Sequence, residues 1–378
     1  MNNPSSAQRL LCGFSLVALA VASSSAHGYA GSPTFQLAGA NDAWRAVVAI
    51  GIRLPASNEA PTRFSTLFAG SGTLISEHGL ILTNEHVVSE LAKAMKRPLD
   101  DPRLPLVAAF PADDRRLDNG LFSAKLLVSE RKSDLAILRL GDALVPPRSP
   151  LFYVKIGNIL SLKADDPLAI YGYPEDTDGK LDSIMGKLLG VKHDVQVGIS
   201  AWLQVDATLR PGFSGGAGVS ADGLLVGVPT QRVLVFSPFC IGEGEDPMAA
   251  ECPVIGERNL LRSINYVYPL LEKAKTKMPE YAPVKIQGTI VDAANGQPIP
   301  NAVFAVLKPG LRWSTYTGKP EHIAESILTD ERGRFVSTKE FSPLMTYAVG
   351  WTAPGYASAY DHAFQPSRSP RRFTLRRS

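Results

Sequence analysis

The sequence predicts an all-β protein built from two consecutive domains. Three observations carry this expectation. Glycine and proline are abundant, 32 and 29 of 378 residues, so turn-forming positions recur along the chain. Between them stand short runs rich in β-branched and aliphatic residues, such as RAVVAIGIRL, PLAIYGYP and KIQGTIVD, which have the length of strands rather than helices. Runs with helical period are few. A hydrophobic content of 45% against 20% charged residues suits a globular protein with ordinary cores, and the length suits two domains, at most three.

The chain opens as a targeting segment. Arg9 is the only charge before an apolar run, Leu10 to Ala22. That run is shorter than the roughly 20 residues a membrane-spanning helix needs. Small residues in SSSA and HGYA then offer a cut after Ala26 or after Ala30. Residues 1–26 are therefore read as a signal peptide, with Cys12 removed along with it.

A first domain is expected over residues 41–278. SGTLISEHGLILTNEHVV reads as strand, tight turn at SEHG, strand, and SELAKAM adds a helical turn. AKLLVSERKSDLAILRLG gives two strands, PLAIYGYP and AWLQVDATL one each, and GLLVGVPTQRVLVF two more. LLEKAKTKM, Leu270 to Met278, is the best helix, with Leu270, Leu271 and Ala274 on one face and lysines opposite. PEYAP, residues 279–283, is the linker. Residues 284–378 resume as strands, with an Asn-Gly turn in AANGQPIP and a second turn at Glu331–Gly333. This spacing predicts a β-sandwich of about seven strands.

Charge places limits on partners. The formal net charge is +3, and the excess sits in the last eleven residues, RSPRRFTLRRS, with five arginines and no acid. The main body is therefore not expected to bind nucleic acid. After the leader two cysteines remain, Cys240 and Cys252. An oxidising compartment permits a disulfide between them, contributing about 2–3 kcal/mol by the chain-entropy argument; two free thiols are the other reading. No His or further Cys lies near them at ligand spacing, so no metal and no cofactor is expected.

The chemistry centres on RPGFSGGAG, Arg210 to Gly218. Serine is a poor nucleophile at neutral pH and needs a base, which in turn needs a group to fix its tautomer. Ser214 is the candidate nucleophile. Among the six histidines, His86 follows an apolar strand in ILTNEHVVSE, where a strand end can present it to a cleft. His78 reads as a turn residue, and His27, His322 and His362 fall outside the first domain's strands. Asp134, in RKSDLAILRL, opens a strongly apolar strand. A half-buried acid there is costly unless it accepts hydrogen bonds, and an imidazole N–H would satisfy it.

Together TNEHVV, SDLAILRL and LQVDATLRPGFSGG, in this order, resemble trypsin-like serine proteases of the HtrA/Deg type. The order His, Asp, Ser matches the chymotrypsin arrangement and not the subtilisin or α/β-hydrolase orders, which argues against a lipase or esterase. The resemblance implies a chymotrypsin-like double β-barrel and a catalytic triad of His86, Asp134 and Ser214. It implies an oxyanion hole from the backbone N–H groups of Gly212 and Ser214, and protein or peptide substrates. Digestive members of the wider superfamily carry an Asp just before the serine; here Phe213 stands there, so neighbouring loops must set the hole. The interval from His86 to Asp134 is long for the family, which suggests a surface excursion around Arg97–Asp118. Thr208, six residues before Ser214, falls at the base of the primary pocket by resemblance. Leu209, Val228 and Pro229 narrow it, so small or medium apolar residues are expected on the cleaved side. Asp206 braces a loop.

The C-terminal segment carries no carboxylate-binding loop of the PDZ kind. IQGTIVDAANGQPIPNAVFAVL, ILTDERGRF and YAVGWTAPGY resemble instead the carboxypeptidase regulatory-like (prealbumin-like) sandwich, an accessory module without catalysis. An envelope, glycan or protein partner is the expected class of ligand for it, and self-association stays open. The expected function is an exported serine endopeptidase, periplasmic or secreted. The alternative is a pseudoprotease that serves as an envelope scaffold.

Overall fold

The computed structural model describes residues 17–19, 33–54, 65–194, 197–236, 254–278, 282–309, 311, 313, 316, 318–343 and 345–378. Contacts divide the chain into two compact units. The first comprises residues 1–154 and 163–266, the second residues 155–162 and 267–378.

The first unit is built from strands β1 (Val17–Leu19), β2 (Phe35–Leu37), β3 (Val47–Arg53), β4 (Thr66–Leu74), β5 (Leu80–Thr83), β6 (Leu106–Ala109), β7 (Leu121–Glu130), β8 (Leu135–Val145), β9 (Leu151–Tyr153), β10 (Pro167–Gly172), β11 (Asp182–Asp194), β12 (Gly198–Val205), β13 (Ala217–Ser220), β14 (Leu225–Phe236) and β15 (Val254–Ser263). Helix α1 (Glu85–Ala94) follows β5. The order β4-β3-β6-β7-β8-β5 closes on itself through the β4–β5 pairing, with β1 added outside β4. The second ring, β10-β11-β12-β15-β14-β13, is a closed barrel. The all-β, two-barrel fold class expected from the sequence is thus present.

Alternation along the strands fills the first ring. Val48, Ile50 and Ile52 on β3 meet Leu74, Ile81, Leu106, Ala108, Phe122 and Leu138 in one cluster, and Phe110 packs edge-on against Phe122 at 5.4 Å. Each such fully buried Phe or Leu contributes about 1.5–3 kcal/mol. Two expectations need correction. The segment Arg97–Asp118 is not wholly a surface excursion, because its LPLVAA stretch forms β6, a buried strand paired with β3 and β7. Its apolar residues complete the ring that the prolines around it flank. The helical turn at SELAKAM is a helix of ten residues that begins before it, at Glu85. Val87, Val88, Leu91 and Ala92 form its buried face, so His86 lies in a helical first turn rather than on the strand end itself.

The second unit contains helix α2 (Val267–Lys275), whose Leu270, Leu271 and Ala274 are buried as the periodicity predicts. It also holds strands β16 (Val284–Asp292), β17 (Val303–Leu307), β18 (Ile323–Leu328), β19 (Arg334–Phe341), β20 (Tyr347–Thr352), β21 (Ala359–Phe364) and β22 (Arg371–Leu375). These seven strands form two sheets, β19-β16-β22 and β18-β17-β20-β21. Phe304 from one sheet stacks on Phe335 at 4.3 Å and lies 5.0 Å from Phe373, both from the other. That aromatic core is the sandwich interior. No helix among the described residues is long and apolar enough to cross a membrane.

Candidate active site

Strand register brings the first two site residues together. β5 runs antiparallel to β8 with Thr83 opposite Ala136. The chain leaves β5 into α1 and enters β8 from a turn at this same end, which places His86 and Asp134 near each other. His86 Nδ1 lies 2.6 Å from Asp134 Oδ2, and the His86 backbone N–H donates to Asp134 Oδ1 at 2.9 Å. One carboxylate thus fixes both the ring and the backbone of the histidine. Both side chains are about one-fifth exposed. Asp134 has φ +52°, a left-handed conformation that Asp and Asn adopt more readily than most residues. Asn84, which the sequence reading passed over, holds the Asp134 backbone. Its Nδ2 donates to the Asp134 carbonyl at 2.7 Å and to Thr230 Oγ1 at 3.1 Å. Its position two residues before His86 was the available signal.

The Ser214 turn is tied to the first ring through Ser71 on β4. Ser71 N–H donates to the Ser214 carbonyl at 2.8 Å. Ser71 Oγ donates to the Gly212 carbonyl at 2.7 Å and accepts from Tyr173 N–H at 2.9 Å. Thr83, three residues before His86, donates its hydroxyl to the Ser71 carbonyl at 2.6 Å. One buried serine therefore links the glycine turn to the strand that leads into His86. The hydroxyls of Ser71 and Thr83 are internal partners for backbone that would otherwise be costly to bury.

The turn itself is specified by its glycines. Gly212 has φ +93° and Gly215 φ +84°. Phe213 N–H donates to the Arg210 carbonyl and Gly216 N–H to the Phe213 carbonyl. Among the described residues, the N–H groups of Gly212 and Ser214 donate to no acceptor. The Pro211 carbonyl accepts from Glu175 N–H at 3.3 Å; in a trans peptide this turns the Gly212 N–H to the opposite side. Phe213 is 1% exposed. Its ring lies on Gly172, where a Cβ would stand 3.0 Å from it. A buried aromatic ring thus stands directly before Ser214.

The expected pocket residues are distributed as follows. Thr208 is exposed and donates to Glu257 Oε1 at 3.1 Å. Leu209 is buried, and its N–H donates to Asn259 Oδ1 at 2.9 Å. Val228 is buried, and the Pro229 carbonyl accepts from Gly215 N–H at 3.0 Å. Asp206 accepts from Lys187 N–H, a loop contact. Glu257 and Asn259 escaped the sequence reading because β15 lies far along the chain from the serine. Cys240 and Cys252 lie outside the described residues. Beside Gly212 a small cleft is lined by Ala49, Phe68, Ala69, Leu117, Tyr173 and Glu175, among others. Among the described residues, no cluster of three or more His, Cys, Asp or Glu is placed to hold a metal ion.

Two charges near the site are shifted. Arg262 is buried and stacks 3.5 Å over Trp202. Burial lowers its pKa to about 10 against the pull of Asp194 and Asp134. Burial also raises the Glu85 carboxyl above its ordinary 4.5, helped by the Asp134 charge and opposed by Arg131, His86 and Lys93. Between the ordinary and the raised value the folded state binds more protons than the unfolded one, so stability falls as pH rises through that window. The melting temperature of Glu85→Gln relative to the parent is therefore expected to rise from pH 4 to pH 7. A difference that stays flat across that range would contradict it.

Residues 70–228 match the trypsin-like peptidase domain. The chain is 29% identical over 173 residues to a probable periplasmic serine endoprotease, DegP-like, of Rickettsia prowazekii, covering 45% of this chain and 29% of that protein. A DegP-like protein of Brucella suis is 30% identical over 170 residues, 45% of this chain and 28% of its own length. Serine protease HTR4 of Rattus norvegicus is 27% identical over 261 residues, 61% and 49% respectively. The crystal structure of Deg5 superposes with a TM-score of 0.39 at 20% identity, over 60% of this chain and 89% of that one. The chain spans half or less of the length of these curated relatives. Over its first unit it is similar to trypsin-like peptidases, and the proteins it matches there are serine proteases.

Proposed function

We propose that the protein is an exported serine endopeptidase that hydrolyses peptide bonds through Ser214, His86 and Asp134. The observation that carries this reading is the 2.6 Å contact between His86 Nδ1 and Asp134 Oδ2. With its Nδ1 proton donated to the carboxylate, the imidazole presents Nε2 as the base. Ser214 Oγ attacks the substrate carbonyl while its proton passes to Nε2. The C–N bond then breaks, the leaving amine takes that proton, and an acyl-enzyme remains. Water, deprotonated by the same nitrogen, hydrolyses the ester. Asp134 stabilises the imidazolium in both halves. The N–H groups of Gly212 and Ser214, without acceptors among the described residues, are suited to receive the oxyanion.

Cleavage after small or medium apolar residues fits the uncharged Thr208 and the buried Leu209, Val228 and Pro229. Export rests on the apolar run at Leu10 to Ala22 and on the periplasmic naming of the DegP-like relatives. The C-terminal sandwich serves as an accessory module that engages an envelope, glycan or protein partner. The test is a fluorophosphonate probe on the purified, processed protein. Labelling that disappears in Ser214→Ala supports the enzyme. Absence of labelling in the folded parent would favour the scaffold reading.

A further inference from the structure

Arg210 stands four residues before Ser214 and does not approach the His86–Asp134 pair in any contact described above. Its guanidinium is instead the centre of a local cluster. Nη1 donates to both carboxylate oxygens of Asp176, at 2.9 and 2.7 Å, and Nη2 donates to Asp182 Oδ2. The same group lies 5.8 Å from the centre of the Phe213 ring. Asp176 belongs to the short turn Glu175–Thr177, and Asp182 begins β11. The clamp therefore joins the segment that bears the nucleophile to the middle of the 173–181 loop and to the start of β11 that follows it.

That loop touches the turn where the Gly212 N–H is oriented. Glu175 N–H holds the Pro211 carbonyl at 3.3 Å. A Cβ on Gly212 would stand 2.1 Å from the Tyr173 carbonyl and 2.9 Å from Pro174 Cα, so residues 173–175 pack directly on Gly212. The peptide between Pro211 and Gly212 can rotate as a unit, and its orientation decides whether the Gly212 N–H can serve as a donor. A planar guanidinium bonded to two carboxylates fixes direction as well as distance. No carboxylate precedes Ser214 to fix that peptide from within, because the position is Phe213.

We infer that Arg210 is a positioning residue: by clamping Asp176 and Asp182 it holds the 173–176 loop against Pro211 and Gly212 and keeps the oxyanion hole formed. This deepens the protease reading and rests on it. Ion pairs as exposed as these contribute little to global stability, so the effect is expected in turnover rather than in folding. Losing one oxyanion donor costs on the order of 10²–10³ in kcat, and partial misorientation should cost part of that.

The test compares the full processed chain with Arg210→Ala, Arg210→Lys and the double variant Asp176→Asn with Asp182→Asn. The readouts are steady-state kinetics on a fluorogenic peptide with Ala or Val before the cleaved bond, the rate of fluorophosphonate labelling, and the melting temperature. Arg210→Ala and the double variant are expected to lower kcat at least tenfold, on the order of the partial loss argued above, with KM little changed and melting within a few degrees of the parent. Arg210→Lys, which can reach one carboxylate but not grip two, is expected to fall between. Should Arg210→Ala not fold, the double variant, which keeps Arg210, carries the comparison. A folded variant set with kcat within about twofold of the parent, or with a loss confined to KM, overturns the clamp while leaving the protease reading intact. A parent without Ser214-dependent labelling overturns both.

Discussion

Asp134→Asn is expected to lower kcat by about 10⁴-fold while leaving the fold and the melting temperature close to those of the parent. The geometry separates the two roles of the carboxylate. Oδ1 accepts from the His86 backbone N–H at 2.9 Å, and Oδ2 lies 2.6 Å from Nδ1. An asparagine can keep its carbonyl oxygen on the backbone N–H. Its amide nitrogen then faces Nδ1 as a donor. The imidazole must answer by placing its proton on Nε2, and a protonated Nε2 can no longer take the proton of Ser214. The backbone tolerates the change, since Asn adopts the φ of +52° seen at this residue as readily as Asp. The Asn84 bond to the carbonyl of residue 134 is also unaffected, because it is made to the main chain. Steady-state kinetics and fluorophosphonate labelling check the loss, and circular dichroism melting checks the fold. A variant that keeps more than a tenth of parental kcat would show that the acid does not set the tautomer.

The site was legible in the sequence where chemistry and local structure coincide. His86 and Asp134 stand just beyond strongly apolar strands that pair with each other, so the two residues emerge at the same end of the pair. The glycines around Ser214 advertise a turn that only glycine can make. What escaped notice depends on residues distant in the chain. Ser71 sits in GSGTL with nothing local to mark it, yet it anchors Gly212 and Ser214 across 141 residues of sequence. Asn259 and Glu257 reach Leu209 and Thr208 because β15 pairs with β12, the strand that runs into them. Strand β6 was hidden by its flanking prolines and acids, although LPLVAAF is apolar enough to be buried. The start of α1 was hidden because the β-branched Val87 and Val88 read on from the preceding strand, and Asn84 at its N-cap makes no capping bond, its side chain being engaged with Asp134 and Thr230.

Gly215→Ala is expected to disable the site without altering any catalytic side chain. Gly215 has φ +84°, and a Cβ there would stand 2.1 Å from the Ser71 carbonyl oxygen and 2.3 Å from Thr83 Oγ1. Neither obstacle can step aside cheaply. The Ser71 carbonyl accepts the Thr83 hydroxyl at 2.6 Å, and Ser71 itself donates to the carbonyls of Gly212 and Ser214. The turn must therefore lift away from β4, breaking those bonds and moving the Gly212 and Ser214 N–H groups from their positions. The left-handed backbone costs about 1–2 kcal/mol for a residue with a Cβ, and each buried group left without its partner adds about 1–3 kcal/mol. A loss of roughly 3 kcal/mol in unfolding free energy is expected on that basis, together with a fall in kcat of at least 10²–10³-fold from the displaced donors. Gly39→Ala is the control, since a Cβ there meets nothing within 4 Å and its φ is −73°; it should lie within about 0.5 kcal/mol of the parent. Denaturant unfolding and turnover of the two variants, measured side by side, separate a general intolerance of added methyl groups from a requirement at this turn. Parental turnover in Gly215→Ala would mean that the hole does not depend on the bonds Ser71 makes to it.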